Sequence, residues 1–156
     1  MMLSPRFDAA LAYASFLHHG QMRKGTGIPY ISHLLLAAGE VLDRGGDEEQ
    51  AIAALLHDAA EDQGGRERLE DIRARFGRRV ARIVEACTDT FRLPKPEWKR
   101  RKRRYIAGIA RVPREALIVI ASDKLANVRS SAAGYRAEGE AFWERFNGKR
   151  AGTLWY

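Results

Sequence analysis

Sulfur chemistry is almost absent from this chain: one cysteine, Cys87, occurs in 156 residues. An internal disulfide framework is therefore excluded, and the composition suits a reducing compartment. Cys87 follows Val84 on an apolar helical pattern and reads as a small core residue. Long apolar runs are missing too, and none approaches the ~20 residues needed to span a bilayer. The N-terminal stretch MMLSPRFDAALAYASFLHHG has no basic segment leading into a secretory hydrophobic region, and it reads as an ordinary first helix. The expected location is cytoplasmic, with no membrane partner. Internal repeats, low-complexity tracts and long linkers are also lacking, so a single domain over residues 1–156 is expected.

Acid is the scarcer charge, with 20 Asp and Glu against 27 Lys and Arg, a net charge of +7. Such a surface attracts polyanions, and a nucleotide with several phosphates satisfies that field as well as nucleic acid does. Charge alone chooses neither, and a solvated basic surface accounts for it equally.

What is abundant is helical patterning. Arg6 to His19 predicts a helix closed by Gly20, followed by the loop QMRKGTGIP over residues 21–29. Pro29 suits the first turn of a second helix running to Asp43, and Asp47 is a plausible N-cap for a third. Amphipathic helices are expected near Arg66 to Phe76 and Arg78 to Asp89. Pro94 and Pro96 open a very basic helix, and Pro113 opens another whose LIVI stretch has strand character but helical flanks. A short aromatic helix, EAFWERFNG, comes next, and GTLWY has the look of a helix start whose remainder is missing. The expectation is all-α.

The third helix carries LLHDAAED, residues 55–62, in which His57, Asp58, Glu61 and Asp62 stand among leucine and alanine. Residues i and i+4 of a helix lie nearly in register, so His57 is expected above Glu61 and Asp58 above Asp62. One face can then offer two metal ligands with two carboxylates a turn below. Further ligands must come from elsewhere. His33 sits at a helix start among Ile31, Leu34, Leu35 and Leu36, where a histidine also serves as a hydrogen-bonded core residue. Asp123 interrupts the apolar helix IASDKLANVR, where pairing with Lys124 or Arg129 is the alternative. Together, His33, His57, Asp58 and Asp123 form a mixed nitrogen and oxygen set suited to Mn²⁺, Fe²⁺ or another borderline divalent ion.

The order His, His-Asp, distant Asp resembles the HD-domain metal-dependent phosphohydrolases. HHGQMRKGTGIPYISH, ALLHDAAED, Phe76-Gly77 and SDKLANVR sharpen this. Together they resemble the hydrolase domain of the RelA/SpoT family and the stand-alone small alarmone hydrolases, over about Phe7 to Arg129. The resemblance implies a compact multi-helix HD domain. It implies one Mn²⁺ held by His33, His57, Asp58 and Asp123, with Glu61 and Asp62 positioning and activating water. It also implies that Arg23 and Lys24 lie beside the base and phosphates, and that Asn127 contacts the substrate near its ribose. The implied reaction removes the 3′-pyrophosphate from (p)ppGpp. Leu34 replaces the usual proline after the first ligand, Ile120 a usual lysine and Gln63 a common threonine, and none of these removes a ligand. LPKPEWKRRKRRYI and RFNGKRAGTLWY resemble a bacterial branch in which the purine need not be guanine, so (p)ppApp is included among the expected substrates.

The expected partner is thus a nucleotide bearing a 3′-pyrophosphate, with no stable nucleic-acid partner and a homo-oligomer left open. Most of the KRRKRR run, residues 99–104, is expected to face water, with Trp98 and Tyr105 anchoring its helix to the core. Two other readings stand beside this one. One is an HD phosphohydrolase acting on a different nucleotide; the other is an RNA-binding regulatory module with a vestigial site.

Overall fold

Local capping chemistry sets the helix starts. In the computed structural model, which describes residues 2–92 and 94–156, the Ser4 hydroxyl accepts from the Arg6 amide and Pro5 takes the first turn of α1 (Pro5–Leu17). After α2 (Ile31–Asp43), Asp47 and Gln50 form a reciprocal capping box at the start of α3 (Glu48–Leu56). A short α4 (Ala59–Asp62) precedes α5 (Gly65–Phe76) and α6 (Arg78–Cys87). The basic helix α7 (Trp98–Gly108) starts later than its prolines suggest, because the Glu97 carboxylate caps the Lys99 and Arg100 amides at 2.8 and 2.7 Å. A 22-residue α8 (Leu117–Glu138), LIVI included, and α9 (Lys149–Trp155) complete the set. Among the described residues there is no strand, only an isolated antiparallel bridge between Met22 and Pro29. The expected all-α class is what is found.

Position in the core follows from composition. Every residue of α3 from Ala51 to Leu56 is buried, as a helix apolar on all sides must be. It packs against α1, α2, α6 and α8, so its C-terminal end is fixed from several directions. No described helix is long and apolar enough to cross a membrane.

Three local expectations need correction. The motif helix is not continuous: it breaks into a turn at His57 and Asp58 before resuming as α4. The Ala54 carbonyl, which an unbroken helix gives to the Asp58 amide, accepts from the His57 ring at 2.7 Å. The aromatic segment forms a 3₁₀ stretch, Gly139–Arg145, rather than an α-helix, after Gly139 turns the chain at φ 64°. Trp98 packs not on the core but on the C-terminal segment. Its ring meets Trp155 and Tyr156 edge-on and lies over Gly148 and Gly152, where a Cβ would crowd it.

Arg79 of α6 clamps three other points of the chain. It bonds Asp47 at 2.7 Å, Glu49 at 3.0 Å and Glu115 at 2.8 Å. Hydrogen bonds from Arg79 hold the Asp47 carboxyl below its usual range, and those from Arg79 and Arg82 do the same for Glu115. A depressed folded pKa contributes stability above the unfolded value, near 4, and that contribution disappears as pH falls through the folded value. Arg79→Leu should therefore lower stability at pH 7 by on the order of 1 kcal/mol, since these pairs are partly exposed and screened. Thermal melts from pH 7 to 3 should show the deficit shrinking below about pH 4. An equal deficit at both ends would mean the side chain acts through packing.

Candidate functional site

Three parts of the fold deliver one cluster. The first turn of α2 supplies His33, the break after α3 supplies His57 and Asp58, and the second turn of α8 supplies Asp123. The two imidazoles lie edge to face with centroids 5.1 Å apart, both 2% exposed. His33 Nε2 is 3.5 Å from Asp58 Oδ2 and 3.2 Å from Asp123 Oδ1. His57 Nε2 is 3.0 Å and 3.5 Å from the same two atoms. His33, His57 and Asp58 form a group whose donor atoms all lie within 4.8 Å of one another. All four sequence candidates for metal ligation therefore converge.

The His57 tautomer follows from its contact with Ala54. A carbonyl only accepts, so His57 Nδ1 carries hydrogen and Nε2 of the neutral ring turns a lone pair toward two carboxylates. That buried Nε2 has no hydrogen-bond partner. Burial by itself pushes the His57 pKa down, yet Asp58 and Asp123 outweigh it and hold the imidazole well above its ordinary value. Burial likewise pushes Asp58 and Asp123 up, and His57 beside them brings both well below the usual carboxylate range. Each group thus favours positive charge at the centre of the cluster. A divalent cation among two imidazole nitrogens and two carboxylate oxygens meets that demand, so the residues fit a metal.

Neighbouring side chains hold these ligands in place. Tyr30 donates its hydroxyl to Asp58 at 2.7 Å. Asp123 accepts from Asn127 through Oδ1 and from Lys124 through Oδ2, both at 2.6 Å. Such outer partners fix ligand orientation. Asn127 in turn accepts from Arg23 at 2.8 Å, and the Arg23 guanidinium lies 5.6 Å from the centroid of the Tyr30 ring. Arg23 and Asn127 therefore border the cluster. Lys24 does not join them: its ammonium reaches Asn147 at 3.1 Å on the exposed side of the loop.

Glu61 and Asp62 sit on α4, one turn past the ligands. Lys95 bridges them, 2.9 Å from Glu61 and 2.7 Å from Asp62. Gln21 donates to Asp62 at 3.1 Å, and its carbonyl accepts from Gln63 at 2.6 Å. Burial pushes the Glu61 pKa up, the Asp89 charge adds to this, and Lys95 only partly restores it.

Arg101 belongs to the site although its run was expected to face water. It is 7% exposed, pairs with the buried Asp89 and donates to Glu61 at 3.2 Å. Lys99, Arg100 and Arg103 are exposed as expected. Trp98, Arg101 and Tyr105 fall at helical spacing on one face, a signal that marks Arg101 as inward. Tyr30 and Gln21 lie inside the HHGQMRKGTGIPYISH motif. Lys95, between two prolines, carries no local signal at all.

Comparison with known proteins gives a consistent result. A family model described as an HD domain matches residues 10–153. The chain is 41% identical over 113 residues to the guanosine-3′,5′-bis(diphosphate) 3′-pyrophosphohydrolase of Aquifex aeolicus, covering 72% of this chain and 16% of that protein. It is 35% identical over 132 residues to the protein of the same description from Drosophila melanogaster, covering 81% and 69%. A solved structure, described as a metazoan ortholog of SpoT that hydrolyzes ppGpp and plays a role in starvation responses, superposes with a TM-score of 0.76. It shares 32% identity and covers 85% of this chain and 74% of that one. The chain thus spans about a sixth of the Aquifex protein and over two thirds of the Drosophila one.

Proposed function

The chain belongs to the HD-domain family, and we propose that residues 1–156 form one metal-dependent domain, at work in the cytoplasm, that removes the 3′-pyrophosphate from purine alarmones such as (p)ppGpp or (p)ppApp. The observation that carries this reading is the convergence of His33, His57, Asp58 and Asp123 one helical turn from Glu61 and Asp62. Relatives described as hydrolases of guanosine 3′,5′-bis(diphosphate) support the substrate class.

Manganese is the proposed ion, held by those two histidines and two aspartates. A divalent ion supplies Lewis acidity, polarising a phosphoryl oxygen and acidifying water. The rest is the work of this chain's side chains. Hydrolysis breaks the bond between the ribose 3′ oxygen and its phosphorus; water gives a hydroxyl to phosphorus and a proton to the 3′ oxygen. Glu61, with its raised pKa, is suited to take the water's proton, and Asp62 to orient the water. Lys95 keeps the two carboxylates together and offsets one of their two charges. Arg23 offers a planar cation to a purine face, and Lys24 stands on the exposed rim of the same loop.

Stacking tolerates any purine, because every base has a π-face. The proposed contacts, Arg23 on the base and Asn127 near the ribose, include no side chain dedicated to a guanine edge. Both guanosine and adenosine 3′-pyrophosphates should therefore be hydrolysed in the presence of Mn²⁺, the adenosine form at least competitively. Product masses and steady-state kinetics on the matched pair decide this. A guanosine preference above roughly a thousandfold, the scale of dedicated polar readout, would overturn the base assignment. Absence of pyrophosphate release from both would overturn the activity.

A further inference from the structure

Arg101 faces more than Glu61. With Arg92, Pro96, Arg100 and Arg104 it lines a cavity of about 170 Å³. Four arginines thus line one space, and no acidic residue lines it. Among the described residues, no carboxylate lies within ion-pair distance of Arg92, Arg100 or Arg104; Arg104 donates only to the Asp89 backbone carbonyl, at 3.2 Å. The buried Arg101 spends its Nη1 on Asp89 and Glu61 and leaves Nε without a partner.

The cost falls on Arg101, the one buried member, whose Nε lacks a partner. A buried charged donor with no acceptor loses its hydration without compensation. Repulsion among arginines cannot be relieved by proton loss, since the guanidinium stays protonated. Ordinary solvated helix charge explains Lys99 and Arg103, which do not line the cavity, but not the gathering of the exposed Arg92, Arg100 and Arg104 around the buried Arg101. The arginine fork matches phosphoryl oxygens two at a time. The volume lies below the ~300–1,000 Å³ of pockets that enclose a whole drug-sized ligand, so a diphosphoryl group fits where a nucleoside does not.

We propose that this arginine-lined cavity is a binding site for a diphosphoryl anion, separate from the metal cluster and joined to Glu61 through Arg101. The site stands on its own geometry, whether or not the chain hydrolyses alarmones. Calorimetric titration of the full chain with inorganic pyrophosphate, in EDTA to keep the metal cluster free of ions, tests it. Arg100→Gln with Arg104→Gln should weaken binding at least tenfold. Arg78→Gln with Arg136→Gln removes the same charge from exposed positions elsewhere and should leave affinity within twofold, as should Asp58→Asn. Arg92→Gln, in the preceding loop, repeats the test if the helix variant fails to fold by circular dichroism. A parallel titration with adenosine 5′-diphosphate separates the sources: an equal loss means the cavity also takes nucleotide tails, and a loss with pyrophosphate alone means the free anion. Three results overturn the proposal: no pyrophosphate binding by the parent, equal weakening in both double variants, or loss of binding in Asp58→Asn.

Discussion

Asp58→Asn should leave the protein folded and strip it of metal and turnover together. Asparagine keeps the size of the side chain and can still accept the Tyr30 hydroxyl, which lies 2.7 Å from Asp58. What it removes is charge, at the atom closest to His57 Nε2 and within 3.5 Å of His33 Nε2. Two imidazoles and Asp123 then remain for a divalent ion. The loss of affinity should exceed the ~10–100-fold that follows from removing an outer-shell partner of a ligand. Elemental analysis of parent and variant reads this directly. Thermal melting reads it independently of activity, because an ion that binds only the folded chain stabilises it by about 2.7 kcal/mol at a hundred times its dissociation constant. For a chain of this size that is roughly 5–10 °C. Mn²⁺ should produce such a shift in the parent and little or none in Asp58→Asn. Equal metal content in the two proteins would remove Asp58 from the ligand set.

The four candidate ligands could be found in the sequence because each breaks its local pattern. His57 and Asp58 interrupt a run of leucine and alanine, His33 stands in an apolar helix start, and Asp123 divides an apolar helix. Burial of those helices then leaves such side chains little to do except meet one another. The turn at His57–Asp58 was not legible, because it depends on a side chain competing for the Ala54 carbonyl. Arg101 was obscured for a different reason. In a run of six cations, composition cannot say which one turns inward; only its spacing from Trp98 and Tyr105 carries that information. Lys95 lies beyond any local reading, since its contacts with Glu61 and Asp62 are made across 34 and 33 residues. The same holds for Trp98, whose spacing marks an anchor without revealing that the anchor rests on α9.

Neutralising the acidic pair should separate chemistry from metal binding. In Glu61→Gln with Asp62→Asn, each amide keeps an oxygen that can accept from Lys95, and the amide replacing the Asp62 carboxylate can still meet Gln21. Neither residue belongs to the cluster of histidine and aspartate donors, so metal content and the Mn²⁺-induced thermal shift should match the parent. Proton handling is what changes. In the parent, burial and the nearby Asp89 raise the Glu61 pKa, which brings the carboxylate closer to the basicity needed to take a proton from water. An amide cannot take it. Turnover should fall by ~10²–10⁴-fold, the usual range for a positioned acid–base group, while KM changes little because the proposed substrate contacts, Arg23, Lys24 and Asn127, are untouched. A rise in KM with kcat preserved would instead make the pair a substrate-positioning element acting through Lys95. Near-normal turnover would place the proton on another group, and loss of metal in the double variant would make Glu61 or Asp62 part of the ion's own site.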